Sequence, residues 1–108
     1  MTGGLPRRLL LGCAVPLLLG AGPASRRRHH VDIRDLEYRP RTLLAAVGDT
    51  IIWQNRDLVP HTVTFGEATD DRDEVLPGQR FTLVVAEHHS LRYRCRYHLG
   101  MTGMVLAT

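Results

Sequence analysis

The stretch Tyr93-Arg94-Cys95-Arg96-Tyr97-His98-Leu99-Gly100-Met101-Thr102-Gly103 sets a thiol, an imidazole and a thioether at three-residue intervals. Just upstream, Leu91, Tyr93 and Cys95 alternate with Arg92 and Arg94. Period-two alternation of this kind is a strand with one apolar and one charged face. Cys95 therefore reaches the core end of its strand as a short loop begins, with its sulfur under backbone rather than in water. Gly103 then lets the chain re-enter the sheet.

A fourth donor, His61, lies in Val59-Pro60-His61-Thr62-Val63, 34 residues before Cys95. Two His, one Cys and a weak Met form the ligand set of a blue-copper electron-transfer site. A thiolate is soft and holds Cu(I), imidazole suits both oxidation states, and a distant thioether mainly tunes the potential. Met104 follows closely and remains an alternative axial donor. Met101 keeps the short-loop spacing and is preferred.

Outward from this loop the chain reads as strands. Val31 to Arg34, Leu36 to Tyr38, Thr42 to Val47, Thr50 to Asn55 and His61 to Phe65 come first. Gln79 to Val85, Leu91 to Cys95 and Gly103 to Ala107 follow. Arg39-Pro40-Arg41, Gly48-Asp49 and Pro77-Gly78 break the runs. Trp53 reads as core. Residues 66–75, rich in acids and without apolar pattern, read as an exposed loop. Short strands with turns every eight to twelve residues predict an all-β, Greek-key β-sandwich of about seven to eight strands.

Residues 31–108 resemble a cupredoxin, and the loop spacing is closest to the amicyanin branch. The matching pieces are Val47-Gly48-Asp49-Thr50-Ile51-Ile52-Trp53-Gln54-Asn55, Val59-Pro60-His61-Thr62-Val63, Leu76-Pro77-Gly78, and Tyr93-Arg94-Cys95 through His98, Met101 and Gly103. The resemblance implies one type 1 copper held by His61, Cys95, His98 and Met101. It makes His61 the buried ligand and His98 the one whose edge meets solvent. Redox donor and acceptor proteins would then dock near His98, over Leu58, Pro60, Leu99 and Gly100. Two positions depart from the family pattern. Thr62 stands where Asn is frequent, leaving its backbone N–H to bond the sulfur and a weaker side-chain clasp. Arg96-Tyr97 stands where a loop-stiffening Pro is usual. Arg92, Arg94 and Arg96 would raise the potential and favour an acidic partner.

The chain of 108 residues allows one domain. Residues 1–24 read as a signal peptide: Arg7-Arg8, an apolar run, then a small-residue cleavage site ending at Ala24. The apolar run is shorter than the ~20 residues that span a bilayer. The protein is thus expected in the periplasm or outside the cell, with no transmembrane segment after cleavage. The paired arginines leave twin-arginine export open beside the general secretory route. A lipid anchor on Cys13 is the lesser alternative. If Cys13 is removed, Cys95 is a lone cysteine in an oxidising compartment, which metal ligation explains.

From Ser25 on, 12 arginines face 11 acids, a balance of +1. Residues 25–30 read as a basic flexible tail, and without Arg26 to Arg28 the balance is −2. Nothing here points to nucleic acid. His29, His30, His88 and His89 have no partner in sequence and read as surface groups. The domain is expected to be a monomer and not an enzyme, because a second copper centre does not fit in so short a chain. The alternative function is a copper-binding protein that sequesters or delivers the ion. Such proteins favour clusters of exposed Met and His, and this chain has three Met including the first residue.

Overall fold

A computed structural model describes residues 26–67 and 71–108. The signal-peptide and lipid-anchor readings fall on residues outside that range. No helix among the described residues is long and apolar enough to cross a membrane.

Alternating sequence becomes strand at β1 (Arg28–Arg34), β2 (Glu37–Arg39), β3 (Thr42–Ala45), β4 (Thr50–Asn55), β7 (Arg80–Val84), β8 (Leu91–Arg94) and β9 (Thr102–Ala107). Two short strands, β5 (His61–Thr62) and β6 (Glu74–Val75), form a separate antiparallel pair. The larger sheet has the order β2-β1-β4-β7 and the smaller β3-β9-β8. Parallel pairs β1–β4 and β3–β9 tie distant parts of the chain together, and the remaining pairs are antiparallel. The architecture is the all-β sandwich expected.

The sheets meet over one core, which contains Val31 and Ile33 of β1, Ile51 and Trp53 of β4, Tyr93 of β8 and Val105 of β9. Trp53 is fully buried, with Phe81, Phe65 and Tyr93 set edge-on around it at centroid distances of 5.7, 6.1 and 5.3 Å. Tyr38 meets Tyr93 at 4.6 Å. Edge-on pairing of this kind adds about 0.5–1.5 kcal/mol per pair beyond burial. It also fixes the β8 backbone two residues before Cys95.

Three expectations are corrected. The basic segment before Val31 is not wholly a flexible tail, because Arg28, His29 and His30 pair with Thr50, Ile51 and Ile52 of β4. Ladder hydrogen bonds use backbone atoms, so charged side chains do not prevent them. His29 is not a simple surface group: its Nε2 lies 2.7 Å from the carboxylate of buried Asp49. His30, His88 and His89 are exposed. Finally, the stretch read as exposed loop ends in β6, where Val75 is fully buried and Asp73 is 8% exposed. Thr62 pairs with Glu74 and His61 with Val75. The acid-rich composition hides this strand because its partner lies in another part of the chain.

Candidate metal centre

The site is assembled from two loops on one end of the sandwich. Asn55, at the end of β4, is buried and bonds in several directions. Its side-chain amide donates to Val59 O at 2.8 Å and Val75 O at 2.9 Å, and its Oδ1 accepts from Asp57 N at 2.8 Å. The loop leading to His61 is thereby folded back on β4. Asp57 then accepts from three donors: Asp35 N at 2.7 Å, Leu36 N at 3.0 Å and His61 Nε2 at 2.8 Å. Asp35 and Leu36 both have positive φ, 54° and 60°, so this carboxylate also caps a strained turn between β1 and β2. Burial pushes the Asp57 carboxyl up, but the bonds from Leu36, Asp35 and His61 outweigh it and hold it below the usual range. An ionised carboxylate can only accept, so Nε2 of His61 carries the proton and Nδ1 is left with a free lone pair.

That lone pair points at the sulfur of Cys95, 3.8 Å away, and Nδ1 of His98 lies 3.4 Å from the same sulfur. The three donor atoms all fall within 4.8 Å of one another. A metal bonded at about 2.1 Å to nitrogen and 2.3 Å to sulfur, with angles of 109–120°, requires N···S separations of about 3.6–3.8 Å. The observed N···S spacings of 3.8 and 3.4 Å lie near that range, so small shifts of the donors bring them onto one ion. His61 is fully buried, Cys95 is 4% exposed and His98 is half-buried, as the resemblance implies. Thr62 N donates to the Cys95 sulfur at 3.4 Å. Tyr38 donates to Thr62 O at 2.5 Å, on the peptide unit that follows.

The loop closes through Cys95 N donating to Met101 O at 3.0 Å and Met101 N to His98 O at 3.2 Å. Met101 is buried against the core. Met104 lies on the other side of its strand, lining a groove with Arg41, Arg92 and Arg94. The structure therefore separates the two methionines: only Met101 belongs to the loop that carries His98.

Thr62 does not leave the clasp empty. Its Oγ1 accepts from Arg96 N at 2.8 Å. The three arginines near Cys95 also differ in kind. Arg96 is ion-paired with Asp73 through two bonds, 2.7 and 3.1 Å, and with Asp71 at 3.4 Å. Arg92 and Arg94 are exposed and have no ion-pair partner among the described residues, although Arg94 donates to Gly66 O at 2.5 Å. Asp57, Asn55 and Asp73 were not signalled by the sequence, where acids and amides in loops are ordinarily solvated.

No protein-family model matches the chain. It is 35% identical to amicyanin of Paracoccus denitrificans over 81 residues, which are 70% of this chain and 62% of that protein. The chain thus spans less than two thirds of that relative's length. A solved structure of a reduced amicyanin variant superposes with TM-score 0.68 at 32% identity, covering 75% of this chain and 82% of that one. The chain belongs to the cupredoxin family and is amicyanin-like. A purple cupredoxin from Nitrosopumilus maritimus has the same fold, with TM-score 0.66 at 24% identity over 74% of this chain and 99% of that one. The cofactor of this cupredoxin is a single type 1 copper, and the His-Cys-His donors suit it.

Proposed function

We propose that the protein is an exported carrier of single electrons, in which His61, Cys95, His98 and Met101 would hold the copper. The bound copper would supply a Cu(II)/Cu(I) couple. The protein's part is to hold the donors still, so that little rearranges when the charge changes. Asp57 fixes the tautomer and ring of His61. Thr62 N–H bonds the sulfur. The observation that carries the proposal is the mutual spacing of three donors, two of them buried, on a frame already folded to receive one ion.

His98 is the exit. It is half-buried, beside Leu99, which is fully exposed, and the exposed Pro60 and Gly100. Leu58 is 94% exposed. An apolar surface of this kind lets a redox partner approach closely without desolvating charge. Exposed Arg92 and Arg94, without an ion-pair partner among the described residues, suit an acidic partner, and exchange would then slow as salt is raised. No substrate chemistry is proposed.

The test is reconstitution of the pure protein with Cu(II). An intense visible charge-transfer band is expected, bleached by a mild reductant and restored by an oxidant. Cys95→Ser removes the band. A colourless complex that passes copper to a chelator would overturn the proposal in favour of sequestration or delivery.

A further inference from the structure

The residues between Cys95 and His98 are Arg96 and Tyr97, neither of which restricts the backbone as proline does. Yet the two donors they separate must keep a fixed spacing. Backbone hydrogen bonds alone leave this segment thinly held: Arg96 N bonds a side chain and His98 O accepts from Met101 N. The side chains go elsewhere. Arg96 forks onto Asp73, with Nε to Oδ2 at 3.1 Å and Nη2 to Oδ1 at 2.7 Å. Tyr97 donates its hydroxyl to Glu74 at 2.5 Å.

The polar atoms close into a ring whose direction is fixed. Asp73 can only accept, so the Thr64 hydroxyl donates to it. Thr64 Oγ1 must then accept from Thr62 Oγ1, 2.8 Å away, and Thr62 Oγ1 accepts from Arg96 N. The chain of bonds leaves Arg96 at its backbone and returns to Arg96 at its guanidinium. Thr62, Thr64 and Asp73 are all buried, so the ring is shielded from competing water. The Arg96 guanidinium holds the Asp73 carboxyl below its usual range, with the Thr64 bond assisting.

We propose that β6 and the residue before it, Asp73, form a brace for the metal loop: β6 pairs by backbone with the strand that carries His61, and the side chains of Asp73 and Glu74 pin the two residues between Cys95 and His98. Asp73 and Arg96 are its principal positioning residues, and Glu74 with Tyr97 is a second pin. The inference concerns how the site of the proposed function is held, yet the brace itself requires no metal and can be measured without one.

In copper-free protein, Asp73→Asn and Thr64→Val are expected to speed hydrogen exchange of the Arg96 amide by about tenfold or more, because its opening no longer requires breaking the ring. Amides of β1 and β4 stay within about twofold of wild type. Tyr97→Phe gives a smaller effect centred on residues 97–98. Arg96→Lys, which keeps charge but not the fork, behaves like Asp73→Asn. Asp71→Asn, at the exposed rim of the same cluster, changes nothing. With Cu(II) added, Asp73→Asn shifts the intensity ratio of the visible bands and the copper hyperfine splitting, while Asp71→Asn leaves both as in wild type. Unchanged Arg96 exchange in a folded Asp73→Asn protein would overturn the brace, as would an equal loss of protection in β1 and β4. If Asp73→Asn does not fold, Tyr97→Phe and Arg96→Lys carry the same test. Loss of protection in copper-free protein that nevertheless never turns blue would count against the electron carrier and leave the brace standing.

Discussion

Gly103→Ala should be among the most damaging single-methyl additions to this domain. A Cβ at Gly103 would lie 2.3 Å from Cζ of Tyr93, 2.4 Å from its hydroxyl oxygen and 2.7 Å from Cε2. Carbon atoms sit comfortably at about 3.5–4.0 Å, so the ring would have to retreat by more than ~1 Å. Tyr38, Trp53 and Phe65 surround it at centroid distances of 4.6, 5.3 and 5.4 Å. Overpacking typically costs about 1–3 kcal/mol, and crowding by three aromatic rings puts this case near ~3 kcal/mol. For a domain of this size, each kcal/mol lowers Tm by about 4–8 °C, so a fall of roughly 12–24 °C is expected. Thermal and urea unfolding of the copper-free protein measure it. The double variant Gly103→Ala with Tyr93→Val should lose markedly less than the sum of the two single losses, because removing the ring removes the clash. A single-variant loss below about 1 kcal/mol, or simple additivity in the double variant, would refute the reasoning.

Asp57→Ala should cost about 1–3 kcal/mol in urea unfolding of copper-free protein, because His61 Nε2–H is left buried without an acceptor; Asp57→Asn, which keeps one, should recover part of it. Met101→Leu should preserve the visible band but shift the midpoint potential, whereas Met104→Leu should leave both unchanged; voltammetry of the two variants decides between the methionines. Asp73 titrates below the usual carboxylate range when folded. Its contribution is therefore complete above the unfolded value of about 4 and is lost as pH falls through the lower folded value. The Tm of copper-free protein should begin to drop as pH falls below about 4 and continue through the lower folded values, and Asp73→Asn should flatten that drop without abolishing it, since Asp57 is shifted in the same direction.

The grouping of His61, Cys95 and His98 was legible because its chemistry is local: two of the three sit on one short loop, and alternation fixes which way Cys95 points. The sandwich was legible for a similar reason, since Trp53, Tyr93 and Val105 mark one face of their strands by period two. The first residues of β1 and the whole of β6 were not. Arg28 to His30 lack an apolar face, and their order comes from backbone bonds to a strand more than twenty residues away. Glu74 and Val75 make a strand too short for any pattern to register. The burial of Asp73 depends on Arg96, 23 positions later. Asp57 gave no signal either, because nothing in its neighbourhood says that three donors converge on it.

These distant pairings also change the electrostatic reading of the site. Counting Arg92, Arg94 and Arg96 in the sequence suggests a positive field that raises the potential. In the folded protein, Arg96 is matched by Asp73 and Asp71, and Arg94 is turned toward Gly66 O. The charge in direct contact with a donor residue is instead negative, the carboxylate of Asp57 on His61. A carboxylate on the far nitrogen makes the imidazole a stronger donor, which favours the more highly charged ion. The local field therefore works against the expected rise in potential. Replacing Arg96 would remove a pin of the loop together with a charge that is already neutralised, so its effect reports on geometry first. Asp57→Asn is the cleaner probe of charge: a midpoint potential that rises in that variant, with the visible band kept, follows from this reading, and a fall would contradict it.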